Sequence, residues 1–172
     1  MNSSTTHLLV DDSKHPSLCT ITKKIVQAAA RGQIYIISAR WISDCLHTNI
    51  FPAEQSYEIQ SDSHTTLRLS TGAHRYLFDK SYGFAIECQQ CQGSITRNEL
   101  IELIELTGAK FYEQDNPIDR LIVLCDTNEA NLIGIKEKYS STNSNNIKYV
   151  TSDFLLKSII KFEIQDIDKY SL

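Results

Sequence analysis

Apolar residues along this chain come in two rhythms. Some form short unbroken runs of β-branched, leucine or aromatic residues bounded by turn formers, as buried strands do. Others recur every three or four positions, as the inner stripe of a helix does. His7-Leu8-Leu9-Val10, ended by Asp11, Asp12 and Pro16, is a run of the first kind. Thr20 or Thr22 then caps a helix through Ile25, Val26, Ala28, Ala29 and Ala30 that stops at Arg31-Gly32, with glycine just past the last turn. Tyr35-Ile36-Ile37-Ser38 predicts a strand that hands over directly to a helix carrying Trp41, Ile42, Cys45 and Leu46. The order strand, helix, strand, helix calls for parallel pairing through a right-handed crossover.

Residues 60–81 are richer in Ser, Thr, Asp and His and read as a connector, although Leu67, Leu69, Tyr76, Leu77 and Phe78 predict that part of it packs. Beyond it the pattern predicts a strand over 82–88 and an amphipathic helix over 97–107 that ends at Gly108. Strands over 109–112 and 120–125 follow, then a helix from Thr127 or Asn128 to about Tyr139, a strand reaching Thr151 and a final helix. The helix over 97–107 is the clearest of these, with Leu100, Ile101, Leu103, Ile104 and Leu106 inward and Glu99, Glu102 and Glu105 outward.

The closing stretch is a diverged copy of an earlier one. Trp41 and Phe154 are 113 residues apart, and so are Tyr57 and Tyr170. A constant offset implies two copies of one module. Carried backwards, it lays His7-Leu8-Leu9-Val10 on Arg120-Leu121-Ile122-Val123. The counterparts of the second copy's first strand, first helix and second strand then fall before Met1, so the first module is expected to be N-terminally truncated. The expected domains are module 1 over 1–59, the connector over 60–81 and module 2 over 82–172.

Composition narrows the function. A net charge of −4 and a pI near 5.7 argue against the basic face that sequence-independent nucleic-acid binding needs. No apolar run reaches the length of a membrane span, and residues 1–6 lack the charged and apolar regions of a signal peptide. These features predict a soluble intracellular protein without a membrane partner. Five cysteines, mostly among apolar residues, predict reduced thiols. Cys88-Gln89-Gln90-Cys91 has half the spacing of a zinc site, but no second pair accompanies it, so no metal and no other cofactor is expected. Cys45 and His47 lie two apart on one helix and do not face each other, and no glycine-rich phosphate loop follows a strand. No enzyme activity is expected.

Several of these residues resemble a known family. Thr6-His7-Leu8-Leu9-Val10, Ala30-Arg31-Gly32 leading to Ile36-Ile37-Ser38-Ala39-Arg40-Trp41-Ile42, Thr107-Gly108-Ala109 and Val150-Thr151-Ser152-Asp153-Phe154-Leu155 with Tyr170 resemble a tandem pair of BRCT domains. Phe154 stands where the family usually has Trp. The resemblance implies an α/β fold of two modules, each a small parallel sheet of about four strands flanked by helices. It implies a nuclear scaffold in DNA-damage and cell-cycle signalling that binds a phosphoserine protein partner.

The resemblance also implies site residues. Thr22-Lys23-Lys24 matches the family's Thr-x-Lys at the start of a helix, which assigns the phosphate to Thr22 and Lys24. Ile21 stands where well-characterised members carry an Arg that contacts the peptide main chain. Val26, Ile95 and Leu156 match positions lining a groove for the third residue after the phosphoserine. Read from the residues alone, Lys23 and Lys24 are more often simply a solvated helix face, and the three apolar residues ordinary core between modules. Two alternatives stay open: a phosphate-independent protein-interaction pair and, more distantly, a DNA-end-binding module.

Overall fold

The computed structural model describes residues 4–13, 21–60, 67, 76–88, 95–113, 118–126, 129–140, 142 and 146–172. The chain divides into two compact units: Met1–His74 with Ile160–Phe162, and Arg75–Ile159 with Glu163–Leu172.

In unit 1, β1 (His7–Val10) leads through α1 (Lys23–Arg31) to β2 (Tyr35–Ser38), followed by α2 (Arg40–Thr48) and a 3-10 turn over Glu54–Tyr57. β1 and β2 are parallel, with His7 opposite Tyr35 and Val10 opposite Ser38. Gly32 closes α1 at φ 65°, where a side chain would be strained, and its N–H donates to the carbonyls of Ala28 and Ala29. Ile25, Val26, Ala28, Ala29, Ile36, Ile37 and Ile59 are buried. The outer edge of β2 is covered, because Ile59 N–H donates to Ile36 O at 2.8 Å and Glu58 bridges to Ile37.

Unit 2 holds β3 (Tyr82–Ile86), α3 (Arg97–Leu106), β4 (Lys110–Phe111), β5 (Arg120–Cys125), α4 (Glu129–Tyr139), β6 (Ile147–Thr151) and, as far as Ile159, α5 (Asp153–Lys161), with a 3-10 turn over Ile167–Tyr170. Its sheet is parallel throughout, in the order β4-β3-β5-β6. Thr96 and Glu99 cap α3 reciprocally, each side chain bonding the other's backbone N–H. Phe78, Phe84 and Phe154 form an aromatic centre with ring centroids 5.1–6.2 Å apart. The fold is therefore α/β, with a two-stranded and then a four-stranded parallel sheet flanked by helices. Within the stretch read as a connector, Leu67 and Phe78 are buried. The cap at Thr127 and Asn128, and the turn through Asp115, Asn116 and Pro117, lie outside the described residues.

The internal repeat is built into the backbone. α2 and α5 begin and end 113 residues apart, and so do the two 3-10 turns. The bridge from Ile37 to Glu58 recurs from Val150 to Ser171, and the hydrogen bond from Ile59 to Ile36 recurs from Leu172 to Tyr149, at the same spacing. The first strand departs from it. Tyr35 and Lys148 are 113 apart, yet their partners His7 and Ile122 are 115 apart, so β1 lies on Ile122-Val123-Leu124-Cys125. Laying it on Arg120–Val123 was out by two positions.

The copies also differ in burial. α5 buries Phe154, Leu155, Leu156, Ile159 and Ile160, whereas α2 buries none of its residues and leaves Leu46 74% exposed. A two-stranded sheet offers a helix too narrow a face to cover it. Trp41 is half-buried, with its indole N–H donating to Pro52 O at 2.9 Å and its ring stacked on His7 at 5.6 Å. Asp44 and Lys157 occupy matching positions, and each engages the tyrosine of its own turn. Tyr57 O–H donates to Asp44, and the Lys157 ammonium lies over the Tyr170 ring at 5.4 Å.

Candidate functional site

The Thr22 and Lys24 pair sits at the start of α1. Thr22 is extended (φ −122°, ψ 157°), and its hydroxyl oxygen accepts from Ile25 N–H at 3.4 Å, which makes it the N-cap. As a hydroxyl, it also carries one proton that it can donate. Ile25, Val26, Ala28 and Ala29 face the core, so Lys24 falls on the exposed side of the first turn, while Lys23 is half-buried. No acidic residue stands in that turn, whereas α3 carries Glu99 and α5 carries Asp153 in theirs. The positive end of the α1 dipole, a hydroxyl and an ammonium thus lie at one helix start, a combination suited to an anion.

Ile21, just before the cap, is 36% exposed. Val26 is buried in α1, while Ile95 and Leu156, the latter on α5, are buried in unit 2. The phosphate candidates therefore fall in unit 1, and the groove candidates are divided between the units.

The sequence reading missed a polar network at the same end of the unit 1 sheet. Asp12, just past the C-terminal end of β1, is buried and accepts from Ser38 Oγ at 2.5 Å. The Arg40 guanidinium reaches Asp12 at 3.4 Å, and its Nε donates to Ser38 Oγ at 3.1 Å. A buried carboxylate is tolerable only with such partners. The network fixes the strand ends from which α1 departs and holds Arg40, itself exposed, beside them. Residues 26 and 28 positions apart carry no local signal of this contact.

In unit 2, Glu87 follows β3. Burial pushes its carboxyl up, but hydrogen bonds from Lys138 Nζ and Tyr139 O–H, both 2.6 Å, and the charges of Lys138 and Arg97 outweigh it. The group rests below the ordinary carboxylate range. Burial first, then the Glu87 hydrogen bond and charge, pushes the Tyr139 hydroxyl up. Burial, with Glu87 and Asp126, pushes the Cys125 thiol to about 11, so it stays protonated at neutral pH and makes a poor nucleophile. Because the folded state depresses the Glu87 pKa, its contribution to stability is complete above the unfolded value, about 4.3, and is lost as pH falls through the folded one. Glu87→Gln is therefore expected to flatten the acid limb of unit 2 unfolding, measured by urea titration from pH 6 to 2.5. An unchanged limb would contradict this.

Cys88 is disulfide-bonded, against the expectation of reduced thiols; Cys45 and Cys125 are free. The partner of Cys88 lies outside the described residues. Among the described residues no three His, Cys, Asp or Glu side chains gather as a metal site, and no helix is long and apolar enough to cross a membrane.

Residues 84–159, from β3 to α5, match the BRCA1 C Terminus (BRCT) domain. Those residues of unit 2 form a BRCT domain. Solved structures of tandem BRCT pairs share the fold of this chain. The BRCT5-BRCT6 domains of S. pombe Brc1 align over 93% of this chain and 79% of their own, at 15% identity and a TM-score of 0.58. Rtt107p, residues 820–1070, aligns over 95% of this chain and 78% of its own, at 14% identity and a TM-score of 0.57. Rtt107p in a complex with a phosphorylated histone aligns over 93% and 72%, at 10% identity and a TM-score of 0.51. At these identities the likeness is one of fold. No curated protein sequence matches this chain significantly.

Proposed function

We propose that the chain is a phosphopeptide-recognition module, a scaffold and not a catalyst, that holds a phosphoserine at the start of α1. The reading divides the chain into module 1 over 1–59, a connector over 60–81 and module 2 over 82–172. The observation that carries it is the pairing of Thr22 at the N-cap with exposed Lys24 on an acid-free first turn. A phosphate brings about −1.5 to −2 charges, which the helix dipole, the Thr22 O–H and the Lys24 ammonium complement together. The likeness of fold to Rtt107p, which forms a complex with a phosphorylated histone, supports the same class of partner. Ile21, exposed just before the cap, adds an apolar contact to the peptide where the family uses Arg. The setting proposed is nuclear DNA-damage and checkpoint signalling.

Removing one charge-assisted hydrogen bond costs about 1.5–3 kcal/mol, or about ten- to a hundredfold in affinity. Lys24→Met should weaken binding of a phosphoserine peptide by that factor and leave its unphosphorylated twin unchanged, as read by fluorescence anisotropy. Equal affinity of wild type and variant for the phosphopeptide would remove Lys24 from the site. The second reading, a BRCT pair that binds protein without phosphate, is favoured by Ile21, whose exposed apolar side chain supplies no donor for a peptide carbonyl. Binding to DNA ends ranks below both because the net charge is −4.

A further inference from the structure

The Arg40 guanidinium is clamped on one side only. Its Nε donates to Ser38 Oγ at 3.1 Å and its Nη2 to Asp12 Oδ2 at 3.4 Å, while among the described residues its Nη1 bonds nothing. The Arg40 side chain is 58% exposed and that of Asp12 3%. A free arginine gives up rotamer freedom when it binds a ligand, whereas this one has given it up within the fold.

The clamp lies on the α1 side of the sheet. His7 stacks on Tyr35 at 5.1 Å and on Trp41 at 5.6 Å, so α2 covers the face that carries His7, Tyr35 and, two residues on, Ile37. Ile36 and Ser38 point to the other face. That face is covered by α1, which packs on both strands and makes no comparable contact with α2, as two helices side by side on one face would. The Ser38 hydroxyl therefore brings the Asp12 carboxylate and the Arg40 guanidinium to the α1 face. The strands are parallel, so their C-terminal ends lie together where the chain leaves β1 for α1. Thr22 and Lys24 open α1 at that same end.

Asp12 balances the charge of Arg40 and the adjacent Asp11 adds a negative one, so the pair attracts a second anion little. What it offers is direction. The two N–H donors of Nη1, held in plane by the bonds to Ser38 and Asp12, suit a neutral acceptor, and the neutral acceptor that every bound peptide carries is its main-chain carbonyl. Ile21 has no such donor, and Arg31 stands in the last turn of α1.

We propose that Arg40 binds the partner's main chain: Nη1 donates to a carbonyl of the phosphopeptide beside the phosphoserine held at the start of α1. The proposal rests on the phosphopeptide reading and adds a contact that does not depend on the phosphate. Lys24 meets the phosphate, and Arg40 fixes the direction of the chain that carries it.

The full chain, with nitrogen-15 in its arginine side chains, is titrated with a phosphoserine peptide and followed by NMR, which needs no substitution. The two Nη1 protons of Arg40, averaged by rotation in the free chain, should split into separate signals as the peptide binds. Arg40→Lys keeps a cation for Asp12 but has a single nitrogen, which cannot also reach the peptide. It should bind the phosphopeptide and its unphosphorylated twin about tenfold more weakly, with the wild-type ratio between them and the unit 1 denaturation midpoint unchanged. Nη1 signals that stay averaged with peptide bound, or an Arg40→Lys chain that binds the phosphopeptide as wild type does, would overturn the proposal. So would a loss confined to the phosphopeptide, which would put Arg40 on the phosphate. Equal affinity of wild type for the two peptides, with both weakened in Arg40→Lys, would sink the phosphate reading and leave the Arg40 contact standing. A wild type that binds neither peptide would overturn both.

Discussion

Replacing Phe154 with alanine is expected to destabilise unit 2 by about 3–5 kcal/mol, the range for deleting a fully buried aromatic ring. The ring is 0% exposed and lies against Phe78 at 6.2 Å and Tyr170 at 5.9 Å, so its loss leaves a cavity at the junction of α5, the sheet and the terminal turn. Phe154→Trp, which installs the residue found at the matching place in unit 1, should cost less, about 1–3 kcal/mol, through overpacking. Trp41→Ala should be milder than Phe154→Ala, because Trp41 is only half-buried. Denaturant midpoints, with a probe assigned to each unit, give these values. A Phe154→Ala midpoint within error of wild type would show that the aromatic centre does not hold unit 2 together.

The second large effect belongs to Gly108. Its φ of 91° is one that side chains rarely adopt, and its N–H donates to Glu105 O at 3.0 Å to end α3. A Cβ there would stand 2.5 Å from Tyr76 Cγ and 2.6 Å from the Phe78 carbonyl oxygen, and the latter is backbone that cannot swing aside. Backbone strain of about 1–3 kcal/mol adds to overpacking of about 1–3 kcal/mol. Gly108→Val should therefore leave unit 2 largely unfolded at 37 °C by near-UV circular dichroism. Gly134→Ala is the control, since a Cβ there meets nothing within 4 Å in a helix interior, where alanine is the better helix former. A Gly108→Val chain as stable as wild type would contradict the packing described.

The sequence made the repeat legible because the strand, helix and turn of each copy keep one spacing, anchored by Trp41 with Tyr57 and Phe154 with Tyr170. It did not fix the register of β1. An unbroken apolar run carries no alternation, so His7-Leu8-Leu9-Val10 lies on Arg120–Val123 or on Ile122–Cys125 equally well by pattern. The acidic residue after each strand, Asp11 and Asp126, was the cue that separates them. Nor did the pattern reveal how exposed α2 is, because its amphipathic spacing resembles that of α5 and burial depends on how many strands stand behind a helix. At the candidate site, the Thr22 cap and the outward Lys24 follow from helical period and capping chemistry, which are local. The Asp12, Ser38 and Arg40 network joins the ends of two strands, and only the fold brings those together.

We propose that the phosphate itself is read at the start of α1. Calorimetric titration of the full chain with a phosphoserine peptide and with its unphosphorylated twin tests it most directly. The phosphopeptide should bind at least tenfold more tightly, with affinity that rises from pH 5 to 7 as the phosphate loses its second proton near pH 6. Equal affinity for the two peptides would contradict it.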